Sequence, residues 1–301
     1  QRLWYAEFSA IQSPQSEVTP MRPGPCTPVE LAAFARDGYI IVPDLLDQEE
    51  VTLLRDLALN DRGMQSNAFG VEDTQGRKSR LSLWNHPGDD LYGMISRSRR
   101  IVDRLEQVLD DEVYHYHSKM MLKEPRVGGA WEWHQDYGYW YNNGCLFPHM
   151  ASCMIALDQA SKENGCLQVL RGSHLLGRID HGRFGEQTGA DPERVKKAAE
   201  RLDLVYCEMP PGAAIIFHGN TLHRSDANTS ERPRWSLICC YNARGNDPYK
   251  ESHHPHYTPL SKVDDSEVKR VGRAGPSAVT RKSYMRPADD KTIGKRVEVS
   301  S

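Results

Sequence analysis

Apolar side chains recur at helical spacing in three stretches of the first 110 residues. Thr27 and Glu30 form a capping box before the first stretch, and Asp47 and Glu50 form another before the second. Between these stretches, the β-branched run 39–42 predicts a short buried strand. The predicted helices cover residues 28–37, a stretch that follows residue 47, and residues 88–109.

After residue 111 the pattern changes to short apolar or alternating segments that are separated by Gly, Pro and Asn. Many short strands with frequent turn signals are typical of a β-sandwich or β-barrel. The polar stretch 191–202 predicts a surface helix between two of these strands. The predicted strands cover residues 112–122, 129–134, 150–157, 165–169, 213–218, 221–225 and 233–242.

The helices and strands show no break in composition between them, which predicts one α+β, mainly β, domain over residues 27–260. In this domain the N-terminal helices buttress a double sheet. Residues 1–26 are rich in Pro and Ser without apolar periodicity, so an extended N-terminal arm is predicted. Residues 261–301 are polar and highly charged, and they predict a loosely ordered C-terminal tail.

Composition and charge narrow the class of partner. The formal net charge of −3 provides no broad positive field, so we expect no nucleic-acid partner. No apolar stretch approaches the ~20 residues that a membrane helix needs, so we expect no membrane segment. The seven cysteines form no C-x-x-C pair, which predicts a cytoplasmic or other reducing compartment. The sequence leaves open whether the protein forms a homo-oligomer.

One histidine begins an H-x-D triplet, His134-Gln135-Asp136. Residues i and i+2 of an extended segment point to the same side, so the triplet brings an imidazole and a carboxylate together. Such a pair fits a surface hydrogen bond or two thirds of an Fe(II) site, in which two histidines and one carboxylate leave positions open for oxygenase chemistry. Two later histidines, His218 and His223, are both candidates for the third ligand.

Arg234 and Ser236 lie two residues apart on a later apolar strand. A buried guanidinium needs an anionic partner, because an unpaired charge is very unfavourable in an apolar interior. A carboxylate matches the fork of donors that arginine presents. The partner of Arg234 is therefore either an internal carboxylate, in a structural salt bridge, or a bound acid.

Several motifs taken together resemble the phytanoyl-CoA dioxygenase family. They are the W-H-Q-D sequence that ends at Asp136, the segment 163–167, the Gly172-Ser173-His174 triplet, and the H-x-S triplet from His223 to Ser225 with Arg234 eleven residues after its histidine. The resemblance covers residues 27–245. It implies a double-stranded β-helix, or jelly roll, that binds Fe(II) and uses 2-oxoglutarate and O2 as cosubstrates.

The resemblance also assigns roles to individual residues. It implies that the iron ligands are His134, Asp136 and His223. For 2-oxoglutarate it implies a clamp on the distal carboxylate by Arg234, a hydroxyl partner in Ser225, assistance from Ser236, and a pocket lined by Trp140 and Lys119. Because halogenases of this kind replace the carboxylate ligand with a small residue, Asp136 implies hydroxylation or a similar hydrogen-abstraction outcome, with desaturation, ring formation and C–P bond oxidation left open.

Few residues in the sequence indicate the identity of the substrate. The aromatic residues Tyr137, Tyr139 and Tyr141 follow the H-x-D triplet and are candidates to wall the substrate pocket, where rings suit a cationic group, or to pack in the core. Arg80 is a candidate for an anionic substrate group or for a solvated surface. These features favour a small polar or zwitterionic substrate, such as an ammonium or phosphonate compound. The alternatives are an acyl-CoA substrate and a non-catalytic jelly roll that binds a metal or ligand.

Overall fold

The computed structural model describes residues 25–275 and 282–286. The described α-helices are α1 (Pro28–Asp37), α2 (Gln48–Asn60), α3 (Arg62–Ser66), α4 (Leu91–Arg97), α5 (Arg99–Leu109), α6 (Asp136–Trp140), α7 (Pro192–Ala199) and α8 (Ser266–Arg273). The described strands are β1 (Tyr39–Val42), β2 (Phe69–Glu72), β3 (Lys78–Trp84), β4 (Val113–Lys123), β5 (Trp131–His134), β6 (Met150–Ala156), β7 (Leu167–Leu170), β8 (His181–Phe184), β9 (Gln187–Ala190), β10 (Leu204–Cys207), β11 (Ala214–His218), β12 (His223–Ser225) and β13 (Arg234–Ala243).

The first two helices begin where their capping boxes predict. In α1 the Thr27 hydroxyl accepts from the Glu30 amide, and the Glu30 carboxylate accepts from the Thr27 amide. Gly38 ends α1 with a φ of 83°, and its amide donates to the carbonyl oxygen of Phe34 at 2.8 Å. This positive φ suits glycine, which has no Cβ. The sequence passes directly from α1 into β1.

Two antiparallel sheets face each other. The larger has seven strands in the order β1-β11-β6-β13-β4-β3-β2, and the smaller has four in the order β10-β7-β12-β5. The strands β8 and β9 form a separate hairpin, and β9 lies against β5. One apolar core lies between the helices and the outer face of the larger sheet, and a second lies between the two sheets. The predicted double-stranded β-helix, buttressed by N-terminal helices, is confirmed.

The prediction of one helix over residues 88–109 is wrong. The chain forms α4 and α5, and Ser98 between them is extended, with a ψ of 141°. Ser98 forms a parallel bridge with Val263, and the Arg99 amide donates to the Val263 carbonyl oxygen at 3.2 Å. A distant segment of the chain therefore interrupts the helix, and no local signal in the sequence reports that contact.

That distant segment belongs to the predicted C-terminal tail. Loose order is wrong for residues 261–275, because α8 packs against α2 and α4, with Val268 buried in the core. Further on, Lys282 forms a buried ion pair with Asp90. The predicted N-terminal arm lies outside the described residues as far as residue 24, whereas Cys26 is buried. The domain boundaries themselves stay a prediction.

Five described strands are absent from the list of predicted strands, namely β2, β3, β8, β9 and β10. The predicted polar helix is α7. Among the described residues, no helix has the length and apolar character that crossing a membrane requires. All seven cysteines are free and buried. The reducing compartment stays a prediction.

Candidate metal centre and cosubstrate pocket

Three buried side chains with metal-binding chemistry converge between the two sheets. His134 ends β5, Asp136 begins α6, and His223 begins β12, where its Cα is the ladder partner of the Cα of His134. The Nε2 atoms of His134 and His223 each lie 3.8 Å from Oδ1 of Asp136. Two ligand atoms that are each ~2.1 Å from one ion are at most ~4.2 Å apart, so these distances fit a single ion.

The backbone fixes the ring orientation of both histidines. Nδ1 of His134 lies 2.7 Å from the Glu132 carbonyl oxygen, and Nδ1 of His223 lies 2.9 Å from the Thr221 carbonyl oxygen. A carbonyl oxygen only accepts, so each Nδ1 donates and each Nε2 presents a lone pair toward Asp136. Second-shell bonds of this kind are typical of histidines that bind metals.

The protonation state of the two histidines also favours the binding of a metal cation. Burial holds the pKa of His134 well below its ordinary value, and it lowers the pKa of His223 although Asp136 opposes the change. Both imidazoles are therefore neutral near pH 7 and available as ligands. The Ser152 hydroxyl donates to Oδ2 of Asp136 at 2.8 Å, which leaves Oδ1 facing the two histidines. The donor set of two nitrogens and one oxygen fits Fe(II).

The other candidate for the third ligand lies elsewhere. His218 ends β11, and its ring packs against Phe34 and His174 on the helical side of the molecule. Its Nδ1 accepts from the Asn220 amide at 3.1 Å. Within the described part of the chain, only His134, Asp136 and His223 bring three such ligand atoms within 4.8 Å of one another.

The H-x-D triplet spans the end of a strand and the start of a helix. β5 ends at His134, and Asp136 is the first residue of α6. Gln135 between them is still extended, with φ −110° and ψ 133°, so the flanking side chains point to the same side. The Gln135 side chain donates to the carbonyl oxygens of Gly177 and Asn220, and these two bonds hold the turn in place.

The three residues form part of the wall of a cavity of about 250 Å³ between the sheets. Arg234, at the start of β13, lines the same cavity and is only 4% exposed. Among the described residues it has no carboxylate partner, its Nε has no hydrogen bond, and one terminal nitrogen makes a long bond of 3.4 Å to the Ser236 hydroxyl. Burial lowers the pKa of Arg234 to about 10. Within residues 25–275 and 282–286 the internal salt bridge is therefore absent, and Arg234 is a cation that needs a ligand.

A second buried cation, Lys123, accompanies Arg234. Their Cα atoms are ladder partners between β4 and β13, and Lys123 is 1% exposed. Its ammonium donates to the Ser225 hydroxyl at 2.8 Å and to the Asp226 carbonyl oxygen at 2.5 Å. Ser225 lines the cavity beside Arg234. Burial, followed by the charge of Arg234, holds the pKa of Lys123 well below its ordinary value.

The sequence analysis missed Lys123. A signal was present, because Lys123 directly follows the predicted strand 112–122 and lies four residues after Lys119, so the two share a face if the strand continues. Two histidines after residue 250, His253 and His254, also line the cavity. His254 is buried, and nothing in its local sequence indicates this position.

Three of the predicted pocket residues line the cavity. Lys119 lies on β4, Trp140 lies at the end of α6, and Tyr139 packs edge-on against the ring of His134 at a centroid distance of 5.7 Å. The Tyr139 hydroxyl donates to the Thr188 carbonyl oxygen at 2.7 Å, which joins α6 to β9.

Three other predicted substrate residues do not line the cavity. Tyr137 is buried, and its hydroxyl donates to the carbonyl oxygens of Cys145 and Leu146. Tyr141 is 44% exposed and lies beneath the guanidinium of Arg178. A helical residue two positions away points to nearly the opposite side, so Tyr137 and Tyr141 face away from Tyr139 and the three rings cannot form one wall. Arg80 faces outward on β3, opposite the cavity-lining Leu81, and donates to the Gln65 carbonyl oxygen.

The jelly roll, the buried two-histidine, one-carboxylate group and the unpaired arginine together define a non-haem Fe(II) oxygenase that takes an acidic cosubstrate. The sequence profile of the phytanoyl-CoA dioxygenase (PhyH) family matches residues 34–236, and the chain belongs to this family. It is an Fe(II)- and 2-oxoglutarate-dependent dioxygenase with O2 as its second cosubstrate, as the sequence analysis predicted.

Similar proteins act on small molecules. The chain is 31% identical to the ectoine dioxygenase of Halomonas elongata over 249 residues, which cover 76% of this chain and 74% of that enzyme. It is 29% identical to the L-proline trans-4-hydroxylase of Streptomyces griseoviridis over 232 residues, which cover 71% of this chain and 86% of that enzyme. The crystal structure of EctD from S. alaskensis with bound Fe superposes with a TM-score of 0.69 at 25% identity, and the match covers 83% of this chain and 91% of that one.

Proposed function

We propose that this dioxygenase hydroxylates a small polar or zwitterionic molecule inside the cavity between its two sheets. The observation that carries the proposal is that one cavity of about 250 Å³ contains the His134, Asp136 and His223 group together with the unpaired Arg234. Both cosubstrate and substrate have to fit there. The volume therefore favours a small substrate over a bulky acyl-CoA.

His134, Asp136 and His223 are proposed as the Fe(II) ligands. Three protein ligands leave positions open on the ion, and bound Fe(II) supplies the activation of O2 that drives hydroxylation. The chain's own contribution is geometric. The Glu132 and Thr221 carbonyl oxygens hold the two rings, and the Ser152 hydroxyl holds the carboxylate, so the donor atoms are oriented before the ion arrives.

Arg234 and Lys123 are proposed to bind the distal carboxylate of 2-oxoglutarate, with Ser225 as a hydroxyl partner. Arg234 lines the cavity without a carboxylate partner in the described structure, and Lys123 lies opposite it on β4, with an amine that donates to Ser225. Ser236 orients the Arg234 guanidinium from two residues along β13. Trp140 forms part of the wall of the same cavity and excludes water from it.

The substrate class is supported by the relatives. The H. elongata enzyme is named for ectoine and the S. griseoviridis enzyme for L-proline. We propose that the substrate of this chain is likewise a small cyclic or linear compound that carries an acid group. The rings of Tyr139 and Trp140 border the metal side of the cavity, where they offer an apolar wall to the carbon skeleton.

Anaerobic titration tests the cosubstrate site. Iron-loaded protein is titrated with 2-oxoglutarate while the weak visible charge-transfer band of the chelate is recorded. We expect the band in the wild type, its loss in His223→Ala, and a much weaker response in Arg234→Met. His256→Ala is a matched control, because this half-exposed histidine pairs with Asp247 and does not line the cavity. Iron-loaded protein without a band would overturn the proposal.

Substrate screening follows by the release of succinate. A panel of small amino and imino acids is incubated with iron, 2-oxoglutarate and O2, and products are identified by a mass increase of one oxygen atom. The proposal predicts at least one acid that couples succinate release to hydroxylation. An acyl-CoA as the sole productive compound would contradict it.

A further inference from the structure

Two histidines from distant parts of the chain are stacked in the cavity wall. His117 lies on β4, and His254 lies in the segment after β13. Their ring centroids are 4.9 Å apart at an interplanar angle of 25°. The His254 ring also stacks on Tyr116, with a centroid distance of 4.3 Å. The stack fixes both rings, so their nitrogens have defined positions.

Three of these four ring nitrogens lack a hydrogen-bond partner among the described residues. Nδ1 and Nε2 of His117 and Nδ1 of His254 are all buried without a partner, and so is Oδ1 of the neighbouring cavity residue Asn143. His117 is 4% exposed and His254 is 8% exposed. Buried polar atoms are satisfied in the great majority of cases, and an unsatisfied one is destabilising. A group of such atoms that faces a cavity indicates a missing polar ligand.

The charge of this wall points to an anion. Lys119 lines the cavity two residues from His117 on the same strand, and no described carboxylate pairs with it. Burial holds the pKa of both histidines well below the ordinary value, and the charge of Lys119 acts in the same direction on each. The wall therefore presents an ammonium and neutral imidazoles, which donate hydrogen bonds without a competing negative charge.

The acidic residues of the cavity are already engaged elsewhere. Asp136 belongs to the metal group, and Glu186 accepts from the Glu72 amide at 2.9 Å beside the β8–β9 hairpin. Arg234 lies at the far end of the strand pair, opposite Lys123. Six residues of β4 separate Lys123 from His117, which is ~20 Å of strand. One 2-oxoglutarate molecule held by Arg234 therefore leaves the His117 end of the cavity to another ligand.

The architecture of this subsite is partly outside the family match, which ends at residue 236. His254 arrives on the following segment, which the Asn85 side chain holds by donating to the His253 carbonyl oxygen at 2.5 Å. A bulge in β4 lies at the same place, because Cys240 pairs with His117 and Tyr241 with His115, so Tyr116 is the extra residue. Bulges of this kind redirect side chains beside functional sites.

We propose that His117, His254 and Lys119 form an oxyanion subsite that binds the carboxylate of the substrate. This inference deepens the function proposed above and rests on it. The subsite is distinct from the Arg234 end of the cavity, which serves 2-oxoglutarate. Because His254 comes from a segment beyond the family match, this segment contributes to the substrate preference of this chain.

Binding of matched acids and amides tests the subsite. Anaerobic enzyme loaded with iron and 2-oxoglutarate is titrated calorimetrically with a panel of small amino and imino acids and with their carboxamides, beginning with L-proline and L-prolinamide. In the wild type we expect at least one acid to bind about 10- to 100-fold more tightly than its amide, as for hydrogen bonds to a charged group. If no acid in the panel is preferred to its amide, the inference is overturned.

Variants assign that preference to the named residues. His254→Phe keeps the stack on Tyr116 and removes both nitrogens, and Lys119→Met removes the charge. We expect both to lose the preference for the acid while the affinity for 2-oxoglutarate changes less than about twofold. His256→Phe, in the same segment but half-exposed, is the matched control and keeps the preference. A preference retained in His254→Phe and Lys119→Met overturns the subsite.

The 2-oxoglutarate titration separates the two proposals. If the wild type fails to bind 2-oxoglutarate in the presence of iron, the proposed cosubstrate site fails and this inference falls with it. If 2-oxoglutarate binds normally but Lys119→Met weakens its binding, Lys119 serves the cosubstrate, and only the oxyanion subsite is overturned.

Discussion

Replacing Arg234 by Met has opposite effects on stability and on cosubstrate affinity. The guanidinium is buried without an anionic partner among the described residues, and burial lowers its pKa from the ordinary 12.5 to about 10. At about 1.4 kcal/mol for each pKa unit, the protonated side chain destabilises the cosubstrate-free fold by about 3 kcal/mol. Both the folded and unfolded chains carry the charge at pH 7, so this penalty is fully present there.

Methionine keeps much of the apolar contact of the arginine stem and carries no charge. We therefore expect the free energy of unfolding of iron-free Arg234→Met to exceed that of the wild type by about 1–3 kcal/mol, in line with apolar replacement of buried charges. Truncating one partner of a buried charge pair weakens binding by about 2–5 kcal/mol, so the affinity for 2-oxoglutarate should fall roughly 30- to 5,000-fold.

Urea unfolding of the iron-free protein and titration of the iron-loaded protein measure these two quantities. Arg126→Met is the matched control, because Arg126 forms an exposed ion pair with Glu231 and should change stability by less than about 0.5 kcal/mol. A cosubstrate-free Arg234→Met that is less stable than the wild type would refute the reasoning, because Arg234 would then have a stabilising partner in the empty protein.

Three further predictions concern the surroundings of the site. An alanine Cβ at Gly138 would lie 2.2 Å from the ring of His181, so Gly138→Ala should lower the unfolding free energy by about 1–3 kcal/mol in urea; no change would show that the ring moves freely. Burial lowers the pKa of His218 from 6.5 to about 3, so its stabilising effect is complete above pH 6.5 and is lost as the pH falls toward 3. The stability advantage of the wild type over His218→Gln should therefore shrink by about 2 kcal/mol between pH 7 and pH 5, and a constant difference would contradict burial of a neutral ring. Lys282→Met leaves Asp90 buried without its cation and should lower the unfolding free energy by about 3–5 kcal/mol; a change below about 1 kcal/mol would mean that the C-terminal segment is not docked in solution.

The local signals in the sequence predict the elements that depend on local interactions. The capping boxes at Thr27 and Asp47 set the starts of α1 and α2, because each involves residues three positions apart. The break at Ser98 escaped prediction because it follows from pairing with Val263, far along the chain. Periodicity alone cannot detect a contact of that range.

The metal group was predictable for a different reason. His134 and Asp136 are neighbours in sequence, and the family resemblance chose His223 over His218. The aromatic residues after the triplet were predicted less well, because a helix directs Tyr137 into the core, where its hydroxyl bonds to backbone carbonyl oxygens. His254 could not be found from the sequence at all, because its burial depends on a long segment that folds back over the cavity.

The pairing of β5 with β12 also determines when the metal site first exists. His134 and His223 are ladder partners but lie 89 residues apart along the chain. At a synthesis rate of about 5–20 residues per second, the segment with His134 and Asp136 is synthesised roughly 4–18 seconds before His223. During that interval the nascent chain offers an ion only His134 and Asp136, and β5 lacks its ladder partner β12. Iron loading therefore follows the long-range strand pairing, and because pairings of high contact order form slowly, acquisition of the ion is expected to be a late event in the maturation of the protein.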